Sequence, residues 1–371
     1  MIKLKDPKSC VGCYACIGIC PEGAVAADMS SGYLVPRPDP RKCNDCGKCE
    51  RVCPALNEPA KNVFHASYIS YTEEESVRSA SSAGGTFAML ALDTLSAGGA
   101  VFGAGYTDRG CEHICAESAA ELAPLLGRKY VFSRIGQAFE RCRDMLISGR
   151  KVLFCALPCQ IEALRLFLGS PFDSLLCVEV GCGGVLSEMA WNSFLDSLGC
   201  PESVRLTNRV DGYNRAGMVY TYKDGQVAVT RSETSVHRAA SLGLGIMPAC
   251  EKCVRGRRRS SADITLRRYD PSVTDETLDR RRQPLSLVLV RTRAGMEAFG
   301  RVREVMCTRE LPVPEAIAYI KNSVKEKKYS CHSAAFLKKL KNSDFDSALD
   351  ACSRSTLGSS LGALMRSIVI K

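Results

Sequence analysis

Residues 149–168 read GRKVLFCALPCQIEALRLFL. VLFCAL (152–157) is a short, continuous apolar run, the pattern of a strand buried on both faces. Pro158 to Leu168 then reads as a helix. A buried strand leading straight into a helix is the repeating step of an α/β sheet, and open sheets of that kind bind ligands beyond the carboxyl ends of their strands. The two cysteines of the stretch therefore separate. Cys155 lies inside the strand and is expected to be a packed core thiol, because free cysteine behaves as a small hydrophobe. Cys159 lies past the strand end, at the start of the helix, on a ligand edge.

The same alternation extends in both directions from this stretch. Phe64–Tyr71 reads as a strand, followed by SASSAGG (79–85), the helical run TFAMLALDTLSAGG and the strand AVFGAGY. A helix is expected near Ala120–Leu126, leading into GRKYVFSRIG. Gln137–Ser148 is helical by period, with Ala138, Cys142, Met145 and Leu146 on one face. LLCVEVGC (175–182) is a strand, and Ser187–Leu198 a helix. MVYTYKDGQVAVT is a hairpin turning at Asp224-Gly225. Strands alternating with helices predict an α/β domain over 63–306 with a mainly parallel sheet. The stretch Glu310–Lys371 looks helical and basic, so a helical C-terminal extension is expected over 307–371, for packing or docking. NEPAKN (57–62) is polar, contains proline, and reads as a linker to a separate N-terminal domain over 1–58.

The chain has 371 residues, a length for two or three domains, and its 46% hydrophobic content can bury a sizeable core. No apolar run reaches the roughly 18 residues of a membrane span. MIKLKDPKSC lacks the apolar segment of a signal peptide, so a cytoplasmic protein is expected. Its 21 cysteines then argue for metal ligation in a reducing compartment and against disulfides. The net charge of +10 is compatible with nucleic acid, a membrane surface, an acidic redox partner or a polyanionic cofactor.

The N-terminal cysteines are the most specific signal. CVGCYACIGICP (10–21) and CNDCGKCERVCP (43–54) both follow Cys-x2-Cys-x2-Cys-x3-Cys-Pro. This is the spacing of bacterial two-cluster ferredoxins, in which the fourth cysteine of each run ligates the other cluster. One 4Fe-4S cluster should take Cys10, Cys13, Cys16 and Cys53, and the other Cys43, Cys46, Cys49 and Cys20. Zinc knuckles use two ligand pairs, usually with a longer gap between them, and fit poorly. An α+β ferredoxin-like two-cluster domain is therefore expected to precede the α/β domain. Further on, Cys159 and Cys182 each follow a strand, and Cys250-x2-Cys253 lies in PACEKC. Together these four could hold a third 4Fe-4S cluster. Against this, any lone cysteine is more often a core thiol. Cys111 and Cys115 of CEHIC, at helical spacing, are the main competitors as ligands.

SSAGG before a helix offers backbone N–H groups suited to a phosphate or pyrophosphate, although such segments are often simple turns. No G-x-G-x-x-G follows a strand, so there is no Rossmann nicotinamide fingerprint. Residues 255–282 hold nine arginines but a single aromatic, Tyr269. Nucleic-acid binding would want stacking residues among them. A solvated basic surface is the simpler reading, and a docking patch for an acidic partner comes next. The four histidines (His65, His113, His237, His332) form no ligand spacing and read as structural, and no nucleophile elbow or Ser-His-Asp order appears.

Taken together, SSAGGTFAMLA, GAVFGAGY, GRKYVFS, GRKVLFCALPCQIEALRLFL, GCGGVLSEMAW, CEKC, SADITL and PLSLVLVRT resemble the coenzyme F-420 hydrogenase/dehydrogenase beta-subunit family over about residues 8–306. The resemblance implies FAD bound without a Rossmann motif, and electron transfer among iron–sulfur clusters, flavin and a soluble two-electron carrier such as the deazaflavin coenzyme F-420. It implies an anaerobic setting. On this reading Ser81, Ser82, Gly84 and Gly85 would meet the flavin phosphates, and Lys129 and Tyr130 would line the same pocket. The sequence also departs from the family. Gly-Thr-Pro-Cys-Gln is Ala156-Leu157-Pro158-Cys159-Gln160 here, Cys-His-Gly is Cys182-Gly183-Gly184, and Ser-Lys-Tyr is Arg128-Lys129-Tyr130. The Gly-Asp-aromatic-Trp-Gly that follows Asp-Ile-Thr is replaced by Leu266-Arg267-Arg268-Tyr269-Asp270. The expected function is an iron–sulfur flavoprotein oxidoreductase working with a redox protein or soluble carrier, without nucleic acid. The alternative is a non-catalytic electron-transfer or docking subunit of a larger redox complex.

Overall fold

The computed structural model describes residues 2–4, 6–107, 110–207, 217–230, 235–251, 253, 255, 259–270, 285–323 and 332–353. Its largest sheet has eight strands: β1 (Ala66–Tyr71), β2 (Ala100–Thr107), β3 (Gly110–Ala116), β4 (Val152–Ala156), β5 (Leu175–Val180), β6 (Ile264–Tyr269), β7 (Leu285–Val290) and β8 (Cys307–Glu310). The spatial order is β8-β1-β7-β6-β5-β4-β2-β3. The central contacts, β6 with β5, β5 with β4 and β4 with β2, are parallel. The flanking contacts, β8 with β1, β1 with β7, β7 with β6 and β2 with β3, are antiparallel. The sheet is therefore mixed, with a parallel centre, where the sequence predicted a mainly parallel one. The unforeseen strand β3 is the reason on one flank. Its residues, GCEHICA, place two cysteines at i and i+4, which also fits a helix.

The strand β4 shows why the centre is parallel. All five of its residues are buried. Val152, Phe154 and Ala156 join Phe139, Ile161 and Leu164 in one core, packed under α2 (Ala138–Ile147) and α3 (Pro158–Leu168). Leu153 and Cys155 point the other way. They join Leu90, Val178 and Phe299 in a second core under α1 (Thr86–Ser96) and α5 (Arg293–Arg303). Side chains alternate across a strand, so a strand covered by helices on both faces is apolar at every position. Each large side chain buried here stabilises by about 1.5–3 kcal/mol.

The helix expected near Ala120–Leu126 is instead two short 3-10 turns, Ala119–Glu121 and Ala123–Leu125, with Pro124 inside the second. Proline lacks the N–H that a longer helix would need. The expected hairpin forms: Gly217–Thr221 pairs antiparallel with Val227–Thr230, and Ser203–Thr207 adds a third strand. The stretch from 307 does not form a separate helical extension. It opens with β8, which pairs with β1, and Ala316 and Ile320 of the helix Val313–Ser323 pack against Ile69 and Leu287. Phe336, Phe345 and Leu349 pack with α4 (Glu188–Ser197) through Trp191 and Phe194. Residues 354–371 lie outside the described ones, as does most of the arginine-rich 255–282. No helix among the described residues is long and apolar enough to cross a membrane.

The N-terminal domain carries its internal repeat in backbone form. Each cysteine run leads into a four-residue helix, Ala15–Gly18 and Lys48–Arg51, and the hairpin Val25–Asp28/Val35–Pro38 lies between them. At equivalent places, Gly12 (φ 63°) matches Asp45 (φ 53°) and Tyr14 (φ 63°) matches Gly47 (φ 70°). The left-handed conformation on either side of the middle cysteine curls the loop around a common centre. Glycine adopts it freely, while Tyr14 and Asp45 hold it at a cost.

Candidate functional site

The cysteines of the N-terminal domain gather in two neighbourhoods. Burial, and then the neighbouring Cys10 and Cys53, push the Cys13 thiol up to about 12. Cys16 is raised by burial first and then by Cys13, Cys10, Cys53 and, last, Cys49 of the other run. Cys53 therefore sits with the first run, as the crossing ligand should. Cys20 crosses the other way and lines one small cavity with Cys43, Cys46 and Cys49. The two sets differ in surroundings. Cys13, with Val11, Ala15 and Val52, packs into the core that holds Ile161, Leu164 and Cys159, so the first set is the inner one. Cys46 of the outer set is exposed.

Four thiols of the body lie near one another. Burial, followed by Cys182, Cys250 and Cys253, pushes the Cys159 thiol well above its usual range. Cys250 rises to about 12 through burial and then Cys182 and Cys253. Cys155 is not among these neighbours. Its own rise to about 12 comes from burial, opposed by Lys129. The parity of β4 explains this, because Cys155 faces the α1 and α5 side while Cys159 packs on the α2 and α3 side. Cys111 and Cys115 lie four residues apart along β3, about 13 Å of strand. Cys111 packs in the core of Trp191 and Cys115 in that of Phe154, so they share no centre.

Among the described residues no three His, Cys, Asp or Glu side chains close tightly enough to hold a single ion. This includes the eight N-terminal cysteines, whose cluster spacing is unambiguous. A cubane binds its ligands at four separate corners, so the body thiols fit a cluster better than a mononuclear site.

The Cys159 turn is pinned by its neighbour. Gln160, with no exposure, accepts the Leu157 N–H through Oε1 (3.1 Å). Its Nε2 donates to Ser133 O (2.9 Å) and Oγ (3.3 Å). Ser133 Oγ also meets His113 Nδ1 (2.9 Å), whose Nε2 lies 3.2 Å from the Cys155 carbonyl. Burial pulls His113 down to about 4, so it is neutral. The Asp263-Ile264-Thr265 segment does similar work one strand away. Asp263 accepts from the Cys177 N–H (2.7 Å), Arg165 (2.9 Å) and Thr292 (2.8 Å). Thr265 donates to the buried Glu179 (2.7 Å), whose pKa burial raises. These groups hold β5 and β6 in register below the cleft, from the amino end of β6.

A cleft of about 380 Å³ runs along the carboxyl ends of β2, β4, β5 and β6. Ser81, Ser82, Gly85, Lys129 and Tyr130 line it. Gly84 does not: a Cβ there would stand 2.1 Å from the Ser70 carbonyl oxygen, so Gly84 lets the loop lie on the sheet. Gly85 (φ 91°) opens α1, whose first N–H groups favour an anion. Lys129 donates to the Leu126 carbonyl (2.6 Å), and burial draws it down to about 8. The lining also includes Arg128, Arg267 and Arg268, and among the described residues no aspartate or glutamate. A cationic cleft of this size, with a helix N-terminus at one wall, fits a pyrophosphate-bearing cofactor. Cys182 belongs both to the thiol group and to the cleft wall, and Cys155 lines the cleft too. Of the positions that depart from the family, Leu157, Gly183, Arg128 and Leu266–Arg268 fall on the lining, while Tyr269 and Asp270 do not. Sequence reasoning left Arg267 and Arg268 in a solvated basic surface, because nothing local reveals that β6 ends at the cleft.

Two ferredoxin-spaced cysteine runs beside a sheet covered by helices on both faces define an iron–sulfur protein with an attached α/β domain. Residues 9–57 match the 4Fe-4S dicluster domain, and residues 149–313 match the C-terminal region of the coenzyme F420 hydrogenase/dehydrogenase beta subunit. The likeness to that beta subunit covers the C-terminal part of the sheet domain, and the dicluster match covers the N-terminal cysteine runs. The chain is also similar to one from the F420-reducing [NiFe] hydrogenase complex of Methanosarcina barkeri, with 18% identity and a TM-score of 0.48, over 72% of this chain and 90% of that one. No curated protein matches it.

Proposed function

We propose that this chain is an iron–sulfur flavoprotein oxidoreductase that passes electrons between a redox partner and an organic two-electron acceptor of the deazaflavin type. The observation that carries the reading is Cys182, which stands in the converging thiol group and in the wall of the cationic cleft. The order follows from burial. On this reading the outer set, with exposed Cys46, faces a partner, the inner set packs against the body beside Cys159, and Cys182 reaches the cleft. Clusters there supply single-electron transfer, and a bound FAD supplies exchange between one-electron and two-electron steps. The chain's own residues hold and screen these groups. Ser81, Ser82 and the α1 N-terminus meet the phosphates, Lys129 offsets their charge, and Tyr130 covers the cleft.

Anaerobic purification followed by iron and flavin counting tests this. About twelve irons and one FAD are expected, falling toward about eight irons in Cys159→Ser but not in Cys155→Ser. About eight irons and no flavin in the wild-type chain would leave only the dicluster domain functioning. A second reading, an electron-transfer or docking subunit in a larger complex, draws on the altered residues that line the cleft. It expects about twelve irons, no flavin, and stable binding to a separate enzyme.

A further inference from the structure

Arg255 follows Cys253 by two residues and ties three parts of the chain together. Its Nη2 donates to the Pro54 carbonyl (2.9 Å), the residue after the crossing cysteine Cys53. Its Nε donates to Glu162 Oε2 (2.5 Å), on α3 three residues past Cys159. The other oxygen of Glu162 lies 3.2 Å from Lys61 Nζ, in the segment linking the two domains. Glu162 is 3% exposed and Arg255 22%, so water screens the group weakly. The guanidinium's field reaches cysteines on both sides, acting on Cys53 and on Cys159 and Cys253. Lys61 also lies 3.8 Å from the exposed Glu58, so two cations face two carboxylates here, and Arg255 is the cation whose field acts on cysteines of both sets.

We propose that Arg255 is the positioning residue of the inter-domain electron step. It clamps the dicluster domain to the body where the two cysteine sets approach, and it favours the reduced form of both adjacent clusters. The inference rests on the cluster reading above. A cluster gains one negative charge on reduction, so a fixed cation in a poorly screened place raises its potential. The planar fork of arginine suits the double engagement of a carbonyl and a carboxylate, which lysine reproduces in charge only. The outer set, with its exposed Cys46, is better screened by water and serves as the internal control.

The test is an anaerobic redox titration of the full chain, followed by electron paramagnetic resonance, for the wild type, Arg255→Gln, Arg255→Lys and Glu162→Gln. Arg255→Gln should lower the potentials of the inner and body clusters by about a tenfold change in the oxidised-to-reduced ratio, which is about 59 mV for a one-electron couple. Glu162→Gln should raise both. Arg255→Lys should keep both potentials near wild type while hydrogen exchange at residues 55–57 speeds up, because the clamp has lost its fork. The outer cluster should not move in any variant. Unchanged inner potential in Arg255→Gln, a shift of the same sign in Glu162→Gln, or equal shifts in the outer cluster would overturn the proposal. If the wild type holds only about eight irons, the body-cluster reading fails separately, and the clamp is still judged on the inner cluster's potential.

Discussion

Replacing Gln160 by alanine tests whether the Pro-Cys-Gln turn is built to hold Cys159. Gln160 is fully buried and makes three hydrogen bonds of 2.9–3.3 Å, so the truncation strips the Leu157 N–H and the Ser133 carbonyl of a partner. A buried backbone group left unsatisfied costs about 1–3 kcal/mol. Leu157 and Ser133 both border the cleft, where water reaches them, so the low end of about 1 kcal/mol each applies. Losing a buried methylene adds about 0.8 kcal/mol. The total is about 3 kcal/mol, read as a lower urea midpoint under anaerobic conditions. Because the turn also sets Cys159, iron should drop from about twelve toward about eight per chain, with the dicluster signal intact. Gln160→Glu keeps the acceptor for Leu157 but faces a carboxyl group to the Ser133 carbonyl, so it should be no milder. A loss below about 1 kcal/mol with full iron retention would refute this account of the turn.

Other perturbations separate the remaining roles. Gly84→Ala would push a Cβ to 2.1 Å from the Ser70 carbonyl oxygen and 2.8 Å from the Ser286 nitrogen, both backbone atoms that cannot swing away. It should cost about 1–3 kcal/mol and loosen flavin retention, since the next residue lines the cleft. Phe336→Ala removes a fully buried ring packed edge-on against Phe345, and should cost about 3–5 kcal/mol if the C-terminal helices belong to the core. His113 is held down to about 4 by burial, against 6.5 unfolded. Between those values the unfolded chain binds a proton that the folded one does not, so stability falls as pH falls through that window. From pH 7.5 to 5.5 the loss should be about 1.3 kcal/mol, and His113→Gln should remove that part of the slope.

Local chemistry made much of the protein readable. The dicluster motif is local because one short loop supplies three corners of a cluster, so its spacing is written in consecutive residues. The β4–α3 unit was readable for the same reason: five apolar residues in a row report burial on both faces. The antiparallel flanks were not, because GCEHICA fits a strand and a helix equally well, and only pairing with β2 decides between them.

By itself, then, the sequence determined the two cluster motifs, the α/β alternation and the split between Cys155 and Cys159, which follows from position along a strand. Only the tertiary structure decided that Cys182, Cys250 and Cys253 lie within electrostatic reach of Cys159. It alone brought Arg267 and Arg268 to the cleft, joined β8 to the sheet and set Arg255 against Pro54. The physical reason is range. Burial and periodicity act between neighbours in the chain, whereas these contacts join segments tens to hundreds of residues apart, and sheet order and domain packing choose which of them touch.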